Sequence, residues 1–576
     1  MVTIKKNDVL LRDQNRWLHF RNPYKIIIAE SLDQVVPALA EIERLTEEND
    51  WHAAGFLSYE SASAFDQAMR TKPTPGFPYL WFGLYPQPLT VILPKPEQPK
   101  AILEWQPTID RDSYDDAVAQ IKEYISQGKT YQVNYTMRLQ AVFSIRAWDF
   151  FLYLAQSQNN HAAYIDTGRY VICSASPELF FELDNDTITC RPMKGTVKRG
   201  RTTMEDREQA DWLKNSKKNR AENVMIVDMI RNDLGRIAKT GSIRVPELFC
   251  IEGYPTLWQM TSTITAQTNA SLTNIIRALF PCASITGAPK VRTMQIIDNL
   301  ETTPRKIYTG SIGYISPHRK AKFNVAIRTL LIDQQLQKAE YGVGGGIVWD
   351  SMSTDEYAEA VLKARLLTEP QPEFSLLETM LWTPTQGFYL REKHIKRLLD
   401  SAEYFDFPVS RKAIEESLDQ AASAFDSTQR VRLLLDKAGT IKIESIPFQP
   451  AAKLIRAHVA KTHVDSNNVF LFHKTTHRSV YENAQADFPD CDDVLLYNQL
   501  GELTEFTIGN LVVELDGQLI TPPKDCGLLA GTFRAYLVET GQVVEKVIPM
   551  ERLRECTQLF RVNSIRKWEK VEIQQS

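Results

Sequence analysis

An α+β protein of two domains is what the sequence predicts, and three observations carry that expectation. At 576 residues the chain is too long for one hydrophobic core, since usual domain sizes imply roughly two to four folding units. Short β-rich runs such as Leu179–Leu183 and Phe323–Leu331 are mixed with amphipathic helical segments, the pattern of a layered α+β fold. A polar, proline-bearing stretch, TEPQPE, then separates a helical segment from a new apolar pattern that begins at Phe374. These features place one domain at 1–367, a linker at 368–373 and a second domain at 374–576.

Composition narrows the function classes. Apolar residues make up 43% of the chain and charged residues 24%, ordinary for a globular protein, and the net charge of -4 offers no electrostatic case for nucleic acid or an anionic membrane. The basic run from Lys214 to Arg220 does not outweigh that acidity. Small-molecule substrates are expected instead. The amino terminus, MVTIKKNDVLLRDQNRW, has no apolar stretch of signal-peptide length, and nowhere do about 18 apolar residues run uninterrupted, so a cytoplasmic location is expected. The seven cysteines form no CxxC pair and none lies on a GxCxG-type elbow. Neither a disulfide framework nor a glutaminase thiol is expected, and any ammonia must come from outside the chain.

In the first domain, SPELFFELDNDTITCRPMKGT reads as two strands around a turn at Asp184–Asp186. Antiparallel pairing about that turn sets Glu178 opposite Lys194, or one residue from it, where the two form either a reactive amine with a proton donor or a simple cross-strand ion pair. The helix expected over Asn219–Ile237 carries Glu222 at the end of an apolar face. Arg328, in NVAIRTL, alternates with apolar neighbours and is expected to point inward from a strand, toward a ligand carboxylate or a structural partner. In YGVGGGIVWDS, Gly344, Gly345 and Gly346 either free backbone N–H groups for a ligand or make a tight turn. A helix over Thr354–Leu367 aligns Glu356, Glu359 and Lys363 on one stripe, suited to a hard divalent cation or to a surface ion pair.

The second domain opens with a helix around His394–Phe405 that carries Arg397, followed by strands broken at turns such as Asp516-Gly517. Gly531 and Thr532 begin another helix, where free N–H groups suit a phosphate. Lys474 lies among hydroxyl and basic groups in LFHKTTHRSVYENA, and Glu505 falls in a strand-and-turn pattern.

Over roughly Leu57–Leu367 the motifs GKTYQVNYT, SPELF, RPMKGT, NRAENVMIVDMIRNDLGR, SITGAPKVRTM, IYTGSIGYI and GGGIVWDS occur in order. Together they resemble the chorismate-utilising enzymes, and within them the aminodeoxychorismate synthase component I family. The resemblance implies Mg²⁺ held by Glu222 and Glu356 with Glu359, and substrate carboxylates bound by Tyr308, Arg328, Lys363, Ser284 and the backbone of Gly344 and Gly346, with Gly195 and Thr196 lining the pocket. It makes Lys194 the nucleophile at C2, where anthranilate, salicylate and isochorismate synthases carry alanine, and Glu178 the proton donor to the departing hydroxyl. Gln132 stands where water-using relatives have a base lysine. Three positions depart from the pattern: Met193, Asn219 and Gln259.

From about Phe374 onward the chain is similar to the class IV aminotransferase-like proteins, which include 4-amino-4-deoxychorismate lyase. That similarity implies pyridoxal 5'-phosphate joined to Lys474, with Glu505 at the ring nitrogen, Asn510 supporting it, and Arg397 with the Thr532 and Phe533 backbone on the phosphate. Phe533 replaces the usual threonine, and Thr379 aligns with a threonine that moves a proton in the lyases. The two resemblances jointly imply 4-aminobenzoate made from chorismate for folate biosynthesis, with ammonia from a separate glutaminase subunit and pairing of two chains through the cofactor domain. Rival readings are an anthranilate-type first domain, which Lys194 opposes, and a docking or regulatory second domain, for which the Lys474, Arg397 and Glu505 set is awkward.

Overall fold

The computed structural model describes residues 3–95, 103–156, 161–364, 372–448 and 454–574. The chain divides into two compact units, Met1–Lys198 with Ala210–Gln371 and Arg199–Gln209 with Pro372–Ser576. The second unit therefore takes in a short piece of chain from the middle of the first, which the sequence pattern does not reveal. Of the expected linker, residues 368–371 lie outside the described residues.

Two ten-stranded antiparallel sheets make the first unit. One has β1 (Gln132–Val142) near one end and strands near the amino terminus toward the other; the other contains β2 (Leu179–Asp184), β3 (Thr187–Arg191) and β4 (Met193–Lys198). Phe20, Phe56, Trp81, Ile172 and Ile312 pack between the sheets. On one outer face, helix α1 (Lys217–Gly235) buries Ile226, Ile230 and Leu234 against Phe181 and Phe323. Ser216 caps this helix by accepting from the Asn219 N–H.

Strand β5 (Leu257–Gln267) lies beside both β3 and β4. The expected hairpin of β2 and β3 is present, turning at Asn185 with φ 55°. Its extension is not. Pro192 ends β3, and β4 pairs with β5 instead of β2, so Lys194 is not the cross-strand partner of Glu178. The run Phe323–Leu331 is likewise two strands, β6 (Lys320–Val325) in one sheet and β7 (Thr329–Asp333) in the other. Arg328 sits in the crossover with φ 52°, so it does not project from a strand as expected.

The triple glycine is neither turn nor loop. It lies in β8 (Lys338–Ile347), which pairs with β1 from Lys338↔Val142 to Ile347↔Val133. On its other side β7 accompanies β8 only as far as Tyr341, leaving the glycine end with an open edge. Helix α2 (Ser353–Ala364) follows and buries Ala360 against Val343 and Ile347; residues 365–367 of the longer helix expected there lie outside the described residues.

In the second unit, β9 (Leu376–Thr383) belongs to a four-stranded sheet. Helix α3 (Arg391–Phe405) packs on it through Ile395, Leu398 and Ala402, and β10 (Gln429–Leu435) pairs along it. An eight-stranded mixed sheet includes the hairpin of β11 (Leu503–Phe506) and β12 (Gly509–Leu515), and helix α4 (Thr532–Glu539) packs beside it.

Fully buried Glu301 joins two buried guanidiniums, at 2.9 Å from Arg138 and 2.7 Å from Arg305. Its removal strands two like charges out of water. Glu301→Ala is expected to destabilise the first unit by about 3–5 kcal/mol, read as a lowered urea midpoint.

Candidate active sites

In the first unit the β4 bulge aims Lys194. Between Met193↔Thr261 and Thr196↔Gln259 the register of β4 against β5 slips, and Gly195 takes φ 98°, a conformation suited to glycine. The three departures from the family pattern lie around this bulge. Gln259 donates to the Gly195 carbonyl at 2.7 Å and accepts from the Thr196 hydroxyl at 3.2 Å, while Asn219 fills the space beside the Gly195 α-carbon. Met193 directs its N–H to the Glu178 carboxyl. Asn223, one position after Glu222, donates to the Lys194 carbonyl at 3.4 Å.

The Lys194 amine, with its side chain 17% exposed, points to the acidic helices, 3.8 Å from the Glu222 carboxylate. Glu356 of α2 lies in the field of the same ammonium; burial raises its pKa against a 2.6 Å hydrogen bond from Ser351. Glu359 is turned to Lys363 at 2.7 Å, and Lys363 also donates to the Gly344 carbonyl at 2.9 Å. That bond shows which edge of β8 Gly344 faces: in an antiparallel ladder its N–H, and that of Gly346 two residues on, share the open edge. A Cβ on Gly346 would lie 2.3 Å from the Gln132 amide and 2.6 Å from the Lys194 amine, so the bare backbone lets both reach this gap.

Several groups here are built without a protein partner. Gln132 is fully buried with both amide atoms unbonded, and Glu178 is buried with Oε1 unbonded. Burial pushes the Glu178 carboxyl up to about 7, against hydrogen bonds from the Ser284 hydroxyl and the Met193 N–H and the field of Lys194. Arg328 has no ion pair among the described residues, and burial lowers its pKa. Tyr308 packs its ring over Gly342 and under Arg138, 5.2 Å from that guanidinium. A cation without an anion and a carboxyl with one oxygen unbonded suit a ligand that meets both.

The donor set suits Mg²⁺, which takes one or two carboxylates and fills its octahedron with water and substrate oxygens. Glu222, 3.8 Å from the Lys194 amine, and Glu356, bonded by Ser351 through Oε1, could serve so, whereas Glu359 is engaged by Lys363 at 2.7 Å. Among the described residues no three acidic, histidine or cysteine groups form a closed metal cage.

In the second unit a cavity of about 340 Å³ encloses Lys474. The Lys474 amine is buried, and desolvation with the Arg397 charge pushes it down to about 8. Glu505 accepts from Tyr481 at 2.8 Å, Leu529 N–H at 3.0 Å and Asn510 at 3.0 Å; burial raises it to about 7. Asn510 leans into the backbone of Gly531, where a Cβ would meet its Oδ1 at 1.9 Å. Thr379 lines the cavity from β9.

Arg397 is held in a fork by Glu378, at 2.8 and 2.7 Å, and donates to the Ala530 carbonyl at 3.0 Å. Three of its five N–H groups are thus used, leaving two for a ligand. Although burial alone would raise Glu378, Arg397 and His394 bring it down to about 2. His394 Nδ1 lies 2.6 Å from Glu378 and its Nε2 3.1 Å from the Thr532 hydroxyl, so the Thr532 N–H at the start of α4 and the two spare Arg397 protons face one end of the cavity. The Phe533 side chain is buried against Tyr389, Tyr536 and Trp568, which leaves only its backbone for the cavity end. An amine, an acid at one end and an anion cradle at the other fit pyridoxal phosphate.

The sequence pattern left out Glu378, whose buried partners come from another element, and the rim arginines Arg430, Arg432 and Arg566. Alternation in β9 was the available signal, since Leu377 and Thr379 face the cavity and Glu378 faces α3.

The raised Glu178 carboxyl fixes a pH dependence. A carboxyl ionising near 7 in the fold and 4.5 outside it costs stability as pH climbs between those values, and costs none below them. Glu178→Gln removes that cost, so the variant is expected to exceed the wild type by up to about 3 kcal/mol at pH 8 and to match it at pH 4. Denaturant titrations at the two pH values read the difference.

Comparison with known proteins places each unit beside a family. Residues 6–369 match the family of chorismate binding enzymes, and residues 375–572 match amino-transferase class IV. Aminodeoxychorismate synthase component 1 of Escherichia coli is 45% identical over 260 residues, covering 44% of this chain and 57% of that protein. The Bacillus subtilis protein of the same name is 39% identical over 256 residues, covering 44% and 54%. The chain thus spans just over half the length of these curated relatives. The crystal structure of anthranilate synthase component I from Streptococcus pneumoniae shares the fold, with TM-score 0.55 and 24% identity over 64% of this chain and 94% of that one. Among the described residues no helix is long and apolar enough to cross a membrane. From residue 6 to residue 369, well over half its length, this chain belongs to the chorismate binding enzyme family, and a class IV amino-transferase domain follows in the same polypeptide.

Proposed function

We propose that the chain makes 4-aminobenzoate in two steps, amination of chorismate to 4-amino-4-deoxychorismate in the first unit and elimination of pyruvate in the second. The observation that carries the reading is the Lys194 amine, aimed by the β4 bulge at Glu222 beside the glycine edge of β8. An alanine there would leave the gap without a nucleophile.

Lys194 attacks C2 of the ring as both ring double bonds shift, C1=C2 to C1=C6 and C5=C6 to C4=C5, and the C4–O bond breaks, with Glu178 delivering its proton to the departing hydroxyl. Ammonia then bonds to C4 and the C2–N bond to Lys194 breaks, returning the amine. Arg328, Tyr308, Ser284, Lys363 and the Gly344 and Gly346 N–H groups bind the two substrate carboxylates, and Gly195 and Thr196 border the ring. Glu222 and Glu356 would hold Mg²⁺, which would neutralise the ring carboxylate, with Glu359 orienting Lys363. The unbonded Gln132 amide gives no base for water, which favours ammonia as the second nucleophile. A separate glutaminase subunit supplies that ammonia, as the component 1 relatives' name suggests.

In the second unit, Lys474 would hold pyridoxal phosphate, which would supply an electron sink for the elimination of pyruvate. Glu505, supported by Asn510, would hold its ring nitrogen, and Arg397 with the Thr532 and Phe533 N–H groups would hold its phosphate. Lys474, whose amine burial pushes down to about 8, and Thr379 move the ring proton. Arg430, Arg432 and Arg566 at the rim suit a substrate with two carboxylates.

The test is incubation of the chain with chorismate, Mg²⁺, ammonium and pyridoxal phosphate, and identification of the aromatic acid. 4-Aminobenzoate with pyruvate is expected; anthranilate would overturn the reading. Lys194→Ala is expected to lose amination by more than about a thousandfold while Mg²⁺-dependent chorismate binding stays within about threefold. Lys474→Ala is expected to release the aminated ring without pyruvate, seen by mass spectrometry. Glu222→Gln is expected to raise the Mg²⁺ needed for half-maximal rate by about 10- to 100-fold.

A further inference from the structure

Between Lys194 and Glu222 the chain carries a segment, Arg199–Gln209, that is part of the second unit. Its bonds lie there. Arg199 forks onto Asp206 at 2.7 Å on both oxygens, donates to the Tyr404 carbonyl at 2.7 Å and stacks 4.5 Å over the Tyr404 ring. The Tyr404 hydroxyl donates back to the Gly200 carbonyl at 2.7 Å, and Thr203 donates to the Asp400 carbonyl at 2.7 Å. The Gly200 position admits no Cβ, which would fall 2.3 Å from the Asp206 nitrogen.

The contacts continue toward the cavity. On its other side the buried Tyr404 ring lies 4.4 Å from the imidazole of His473, the residue before Lys474. Ser401 bonds His473 Nδ1 at 2.9 Å, and the backbone of Arg201, in the same segment, hydrogen-bonds the ring as well. His394, Arg397, Ser401 and Tyr404 recur at helical spacing along α3, so one stripe of that helix runs from the anion cradle to the segment. Lys474 itself is pinned through its carbonyl by the Leu377 N–H at 2.9 Å. His473 is held by Ser401, by the Arg201 backbone and by packing against Tyr404 and Phe405, and Tyr404 is itself in the grip of Arg199 and Gly200.

We propose that Arg199 and Tyr404 are positioning residues for the Lys474 cavity, so that the second site is completed by a segment encoded inside the first domain. This rests on the reading of Lys474 as the cofactor lysine. Loss of the Tyr404 ring opens a void beside His473 and frees the backbone that presents the lysine.

The full-length chain tests this with pyridoxal phosphate alone, by equilibrium dialysis and by the absorbance of the bound cofactor. Tyr404→Leu is expected to weaken retention by at least about tenfold and to change the ratio of the cofactor bands. Tyr404→Phe, which keeps the ring and loses the bond to Gly200, is expected to stay within about threefold. Arg207→Ala, whose pair with Glu403 is exposed at 65% and 50%, is expected to match the wild type. A wild-type band unmoved by Tyr404→Leu overturns this proposal alone, as does equal weakening by Arg207→Ala. A wild-type chain with no cofactor band overturns the reading of Lys474 and this proposal with it. If Tyr404→Leu does not fold, Arg199→Lys, which keeps the charge and gives up the fork, is read against the same outcomes.

Discussion

Keeping ionisable groups out of water without neutralising one another is the constraint on which both sites depend. Where the protein needs only structure, it closes the account between partners: Glu301 takes two guanidiniums and Glu378 takes an arginine and a histidine. Where it needs chemistry, a partner is withheld. Glu178 keeps an unbonded oxygen, Gln132 an unbonded amide, and Arg328 has no carboxylate among the described residues. Buried hydrogen-bonding groups and charges left unmet cost free energy, and a ligand that meets them, as in the proposed function, binds the more tightly for it.

Backbone irregularity delivers these groups. Regular antiparallel pairing would have carried β3 onward beside β2 and left Lys194 opposite Pro177, one residue from Glu178. Pro192 and the bulge at Gly195 move the strand onto β5 instead, and the amine faces α1. The same economy governs β8, where glycines allow the side chains of Gln132 and Lys194 to approach a main chain whose outer edge is open beyond Tyr341. Both sheets remain intact; only their ends are specialised.

The second unit solves a related problem by sharing partners. Glu378 fixes Arg397 and His394 together, His394 engages Thr532, and the arginine keeps two protons for a ligand. Glu505 is fixed by three donors. Each residue that meets the cofactor in the proposed function is thus set by a neighbour that does not, and Tyr404 and Arg199 extend that pattern to the backbone around Lys474.

The sequence alone determined the α+β class, the β2–β3 hairpin, the helices α1, α2 and α3 and the residue types of both sites, because local periodicity, turn residues and ordered motifs are written in neighbouring positions. Glu222, Glu356, Lys474 and Glu505 could be singled out on that basis. Tertiary structure alone decided that Lys194 lies against Glu222 and not across from Glu178, and that Arg328 stands at a crossover between sheets. It alone enlisted Glu378, which reads as one polar residue in an apolar strand, and assigned Arg199–Gln209 to the other unit. Pairing partners and burial are set by strand order and packing between segments far apart in the chain, and no periodicity within a segment encodes them.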